Sequence, residues 1–81
     1  MIILGDIGNT ETKICLVNNN DKIIKKIVIP SKSKKLNLLN KYFKKIDFSS
    51  IDKILFCSVV PSTYKELKRY FYNKTQVRCY E

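Results

Sequence analysis

The apolar positions of this chain fall into short groups, and their period changes along the sequence. Residues 2–7 form a brief apolar run bounded by Gly8, the pattern of a buried strand. Residues 12–17 form a second such run, and Asn18-Asn19-Asn20-Asp21 is a dense turn signal after it. Residues 22–29 are rich in β-branched side chains and stop at Pro30, which predicts a third strand. The links between these three strands are too short for crossovers, so an antiparallel meander is expected.

The period then lengthens. After a basic connector over residues 31–35, Leu36, Leu39, Tyr42, Phe43 and Ile46 share one helical face. Ser33 is placed to cap that helix, which is expected to run to about Lys45. Residues 54–60 are almost continuously apolar, the signature of a central parallel strand covered on both faces. Pro61 ends the run. Ser62 or Thr63 is placed to cap a second helix, and Thr63 with Glu66 has the spacing of a capping box. Tyr64, Leu67, Tyr70 and Phe71 make its apolar face, Asn73 its expected C-cap, and residues 76–80 a last strand. The predicted order is β-β-β-α-β-α-β, an α/β lobe of ribonuclease-H-like plan with a mixed sheet and helices.

Composition narrows the classes. A chain of 81 residues supports one small domain, and a hydrophobic fraction of 44% argues for a folded one. No apolar run approaches the roughly 18 residues that span a bilayer. The first residues lack the basic segment and cleavage site of a signal peptide, so a cytoplasmic location is expected. Cys15, Cys57 and Cys79 are odd in number and widely spaced, which argues against a disulfide framework or a zinc site. Each sits in an apolar run and is expected to pack as a small hydrophobe. The net charge of +9 is nearly all lysine, with only Arg69 and Arg78 as arginines. The densest patch is Lys32, Lys34, Lys35, Lys41, Lys44 and Lys45, without clustered arginines or stacking aromatics. The composition therefore speaks against a dedicated nucleic-acid role.

The chemistry sits between the first two strands, in Asp6-Ile7-Gly8-Asn9-Thr10. Gly8 is expected to let the backbone fold closely around an anion, with successive N–H groups forming a nest for phosphate oxygens. Asp6 at the strand end suits Mg²⁺, which takes one or two carboxylates and completes its shell with water and phosphates. Thr10 offers a hydroxyl to the same phosphates. The plain alternative is an ordinary hairpin turn, for which Gly8-Asn9 is good chemistry but the acid is not required.

With this motif on the first hairpin and Ser58-Val59-Val60-Pro61 closing the fourth strand, the chain resembles type III pantothenate kinase. That family belongs to the acetate kinase/sugar kinase/Hsp70/actin superfamily. The resemblance covers all 81 residues but only the family's N-terminal lobe. It implies ATP-dependent phosphorylation of pantothenate in coenzyme A biosynthesis. It further implies Mg²⁺, a monovalent cation (K⁺ or NH₄⁺), and a homodimer. It assigns Asp6 to the metal and Gly8, Asn9 and Thr10 to the phosphates. Lys13, seven residues after Asp6, stands where relatives place a phosphate-contacting lysine. No residue matches the family's catalytic acid or its adenosine-side motif, so no catalytic residue is assigned. The expectation is a single ATP-phosphate lobe over residues 1–81, completed by a C-terminal lobe and inactive alone. The sequence would then be the first part of a longer kinase, a truncated product, or half of a split enzyme. A regulatory, non-catalytic relative and a basic nucleic-acid-binding module are the alternatives.

Overall fold

The computed structural model describes residues 1–32, 35–58 and 60–81. Three strands, β1 (Ile2–Ile7), β2 (Glu11–Val17) and β3 (Ile23–Pro30), form the predicted meander. Helix α1 (Leu36–Phe43), a 3₁₀ turn (Phe48–Ser50), β4 (Lys53–Ser58), helix α2 (Pro61–Thr75) and β5 (Cys79–Tyr80) follow. The sheet order is β3-β2-β1-β4-β5. β1 is antiparallel to β2 but parallel to β4, and β4 is parallel to β5. This mixed α/β sheet has the expected ribonuclease-H-like element order.

One face of the sheet carries the core. Ile3, Ile7, Ile14, Leu16, Ile29, Ile54 and Phe56 point to it and join Leu39 and Phe43 of α1 and Leu67, Tyr70 and Phe71 of α2 in one cluster. The period-2 alternation of β1 and β2 shows this directly. Phe71 is the hub of the aromatic packing, with ring centroids 5.1 Å from Phe43 and 6.0 Å from Phe56. Gly5 makes room for Phe56. The two are register partners, and a Cβ at Gly5 would run into the Phe56 ring.

The other face is open. Leu4, Leu55, Val28 and Tyr80 are exposed there, and so is Cys57. This corrects the reading of the fourth strand as covered twice: only alternate residues of β4 are buried. It also corrects the cysteines, since only Cys79 is fully buried, Cys15 half-buried and Cys57 exposed.

Local signals were mostly met, with instructive exceptions. Asn18 holds the β2–β3 turn by accepting from the N–H groups of Asn20 and Lys22 at 2.9 and 3.0 Å. Asp21 takes the left-handed φ of 60° that this turn requires. The expected Ser33 cap lies outside the described residues. Helix α1 stops at Phe43, short of Lys45, and Leu36 stays exposed rather than joining its apolar face. Asp47 then accepts from Ser49 to cap the 3₁₀ turn, which no sequence signal had announced. Helix α2 has Pro61 in its first turn and no side-chain cap hydrogen bond. The hydroxyl of Thr63 is engaged elsewhere, so the capping box is not formed. At its far end α2 continues past Asn73 to Thr75, and Gln76 takes the left-handed C-cap position at φ 61°.

Candidate functional site

The carboxyl ends of the two central parallel strands lie side by side, because Ile7 of β1 pairs with Ser58 of β4. The β1–β2 hairpin and the start of α2 meet at the same end. Such a place, outside the carboxyl ends of parallel strands, is where α/β sheets bind ligands.

Asp6 stands on the open face of β1, flanked by Lys13 of β2 and Cys57 of β4 as its register partners. Directly opposite residues have Cβ atoms roughly 5 Å apart. All three are exposed, and among the described residues no ion pair joins Asp6 to Lys13. The two side chains therefore spring from neighbouring points of an accessible surface, without an ion pair between them. Asn9 and Thr10 are exposed at the hairpin tip, and Gly8 is half-buried.

The hairpin turns differently from expectation. Its N–H to carbonyl bond runs from Gly8 to the oxygen of Glu11 at 2.9 Å, so Asn9 and Thr10 are the central residues. No glycine has positive φ, and neither Asn9 nor Thr10 does. The glycine at position 8 eases the packing of the turn: a Cβ would approach the Glu11 carbonyl to 3.1 Å, so that oxygen would have to give by a few tenths of an ångström. The Gly8 N–H is spent inside the turn, so the expected run of successive free donors is reduced to those beyond it.

Beneath the hairpin lies a chain of buried hydroxyls that sequence reasoning missed. Ser31 sits just after β3, and its hydroxyl donates to the Gly8 carbonyl at 2.6 Å. Thr12 and Ser31 hydroxyls are 2.8 Å apart. The Ser31 N–H donates to the Thr10 carbonyl at 2.9 Å, and its own carbonyl accepts from the Thr63 hydroxyl at 3.0 Å. Thr12, Ser31 and Thr63 are 0%, 3% and 3% exposed. They are the only buried polar side chains among the described residues, and they form one network. The signal available in the sequence was Thr12, a polar residue at the inward position of the Thr12–Ile14–Leu16 alternation. A hydroxyl there demands a buried partner.

For a metal, the open face of β1 offers the carboxylate of Asp6. No group of three or more Cys, Asp or Glu side chains converges among the described residues. A lone accessible carboxylate still fits Mg²⁺, which keeps several waters and draws further ligands from phosphates. Beside the hairpin a depression of about 310 Å³ is lined by Thr10, Glu11, Val28, Ile29 and Pro30. A larger cleft of about 430 Å³, lined by Lys68, Tyr72, Arg78, Cys79 and Tyr80, includes none of the residues of the motif. The basic residues Lys32, Lys35, Lys41, Lys44 and Lys45 are spread over exposed surface, and Lys34 is outside the described residues.

The fold is of a class that includes a solved sugar kinase. The chain superposes over its full length, with a TM-score of 0.61 and 18% identity, on 33% of a protein of Porphyromonas gingivalis described as an N-acetylglucosamine kinase. Within that class, the family model for type III pantothenate kinase matches residues 2–80. A type III pantothenate kinase of Pelagibacter ubique (strain HTCC1062) is 46% identical over 83 residues, covering this chain entirely and 34% of the relative. The chain belongs to the type III pantothenate kinase family and spans about a third of the length of these relatives.

Proposed function

We propose that this chain is the phosphate-holding lobe of an ATP-dependent pantothenate kinase, acting in the cytoplasm on the route to coenzyme A. The observation that carries the reading is the exposed Asp6–Lys13 pair at the mouth of the β1–β2 hairpin, in a chain of this family. Phosphoryl transfer is catalysed mainly by positioning and charge neutralisation. Asp6 would hold Mg²⁺ through its carboxylate, and the bound ion would neutralise phosphate charge. Lys13 supplies a second positive charge beside it, and the Thr10 hydroxyl and the N–H groups of the hairpin tip supply hydrogen bonds. The start of α2, with no acid in its first turn, adds the positive end of a 15-residue helix dipole.

No residue of this lobe is assigned to accept the proton of the pantothenate hydroxyl. That acceptor, the adenosine pocket, the K⁺ or NH₄⁺ site and the contacts of a homodimer are assigned to the part of the kinase beyond these residues. A residue-resolved titration of the ¹⁵N-labelled chain with Mg·ATP tests the reading. Amide shifts confined to residues 6–13 and the start of α2 support it. Shifts scattered over the lysines that flank α1, or matched by any polyanion and abolished by moderate salt, would refute it.

A further inference from the structure

We propose that Ser31 is a positioning residue for the phosphate hairpin and sets the direction of the Asn9 N–H. The inference rests on the reading that the hairpin takes phosphate, and it follows from counting protons in the buried network. A serine hydroxyl has one hydrogen. The Gly8 carbonyl has none, so the 2.6 Å contact consumes the Ser31 hydrogen. The hydrogen between Thr12 and Ser31, 2.8 Å apart, therefore comes from Thr12. The chain runs Thr12 to Ser31 to Gly8, and each hydroxyl is satisfied in order.

The consequence for the loop is geometric. The Gly8–Asn9 peptide is trans and planar, so its C=O and N–H point in opposite directions. Fixing the Gly8 oxygen on the buried Ser31 aims the Asn9 N–H away from the core, toward the exposed side where a phosphate would lie. The Thr10 carbonyl is drawn off as well, by the Ser31 N–H at 2.9 Å. Two carbonyl oxygens that would repel a phosphate are thus held by one residue. The same residue accepts from Thr63, which fastens the hairpin to the first turn of α2 at 3.0 Å. Ser31 does this from the β3–α1 connector, without touching the ligand.

Amide hydrogen exchange of the 81-residue chain reads the effect. Ser31→Ala leaves the Gly8 carbonyl and the Thr12 hydroxyl without their partner. Protection of the Gly8 N–H should fall by about tenfold or more, while that of Ile54 in β4 holds. Thr12→Val keeps the Ser31–Gly8 bond and should leave Gly8 within about threefold of wild type. Ser31→Thr, which retains the hydroxyl, should restore it. A purely structural role for the network would make Thr12→Val and Ser31→Ala alike and lower Gly8 and Ile54 together, and that result overturns the proposal. Should Ser31→Ala fail to fold, Ser31→Cys, with a weaker donor of similar shape, is read the same way. Adding Mg·ATP separates the two claims. If the wild-type Asn9 amide does not respond, the phosphate reading fails, while the exchange pattern still decides whether Ser31 sets the loop. If Asn9 responds equally in wild type and Ser31→Ala, the positioning role is refuted.

Discussion

Asp6 and Lys13 are directly opposite each other on the open face of the sheet, opposite in charge, and unpaired by any ion bridge. Two charges that spring from adjacent strands without closing an ion bridge can both turn toward a third, multiply charged group. Exposed ion pairs contribute little to stability, with a median below about 1 kcal/mol, so the arrangement has little structural value. Asp6→Asn and Lys13→Ala should each leave the unfolding midpoint nearly unchanged. Both should weaken Mg·ATP binding, Asp6→Asn only when Mg²⁺ is present and Lys13→Ala with or without it. Titration calorimetry with and without Mg²⁺ reads the difference. Thr10→Val, which removes one hydroxyl, should have a smaller effect than either.

Gly5 makes a second, structural prediction. Its missing Cβ is where the Phe56 ring lies, so Gly5→Ala forces a buried aromatic off its position. Overpacking of this kind costs about 1–3 kcal/mol or more. Denaturant unfolding should show that loss in Gly5→Ala. Adding Phe56→Leu should recover part of it, which would make the pair non-additive.

The cysteines give a pH test. Burial pushes the Cys79 thiol up to about 11 from an ordinary 9.0, against a smaller opposing pull from Lys68. The folded state thus keeps a proton that the unfolded chain releases above pH 9. Its contribution to stability is complete below pH 9 and is lost as the pH rises through 11. Tyr70, raised by burial, acts in the same direction at higher pH. Unfolding midpoints should fall across pH 9–11, and Cys79→Ala should flatten the first part of that fall. At neutral pH a thiol reagent should label the exposed Cys57 first and Cys79 last, by mass spectrometry of digested samples.

The isolated chain should not turn over substrate. It is assigned the phosphate side of the proposed site, and the proton acceptor for the pantothenate hydroxyl is assigned to the rest of the kinase. Purified chain with ATP, Mg²⁺, K⁺ and pantothenate should produce phosphopantothenate no faster than a blank without protein. Measurable Mg²⁺-dependent product would contradict this division of labour.

Much of this architecture was legible because it is written locally. Alternation in residues 2–7 and 12–17, the Asn-rich turn and the helical stripes around Phe43 and Phe71 each announce an element within a few residues. The element order followed, and with it the class of fold. What stayed hidden depends on contacts between distant segments. Leu55 and Cys57 read as buried from their run, yet only one face of β4 is packed. Thr63 read as a helix cap, but its hydroxyl reaches back 32 residues to Ser31. Ser31 looked like connector, and only the folded chain brings it under Gly8. The motif itself was visible, while the residue that sets its shape was not.

The most direct measurement is a graft. Replacing the matching 34% of the Pelagibacter ubique kinase with this chain gives a full-length protein in which the lobe either works or does not. The folded graft should phosphorylate pantothenate from Mg·ATP within about tenfold of the parent. Asp6→Asn in the graft should lower kcat on the order of 10²-fold, because electrostatic stabilisation supplies much of the acceleration, with far less change in the KM for pantothenate. A folded graft without activity, or one in which Asp6→Asn turns over like wild type, would contradict the assignment of the phosphate site to this hairpin.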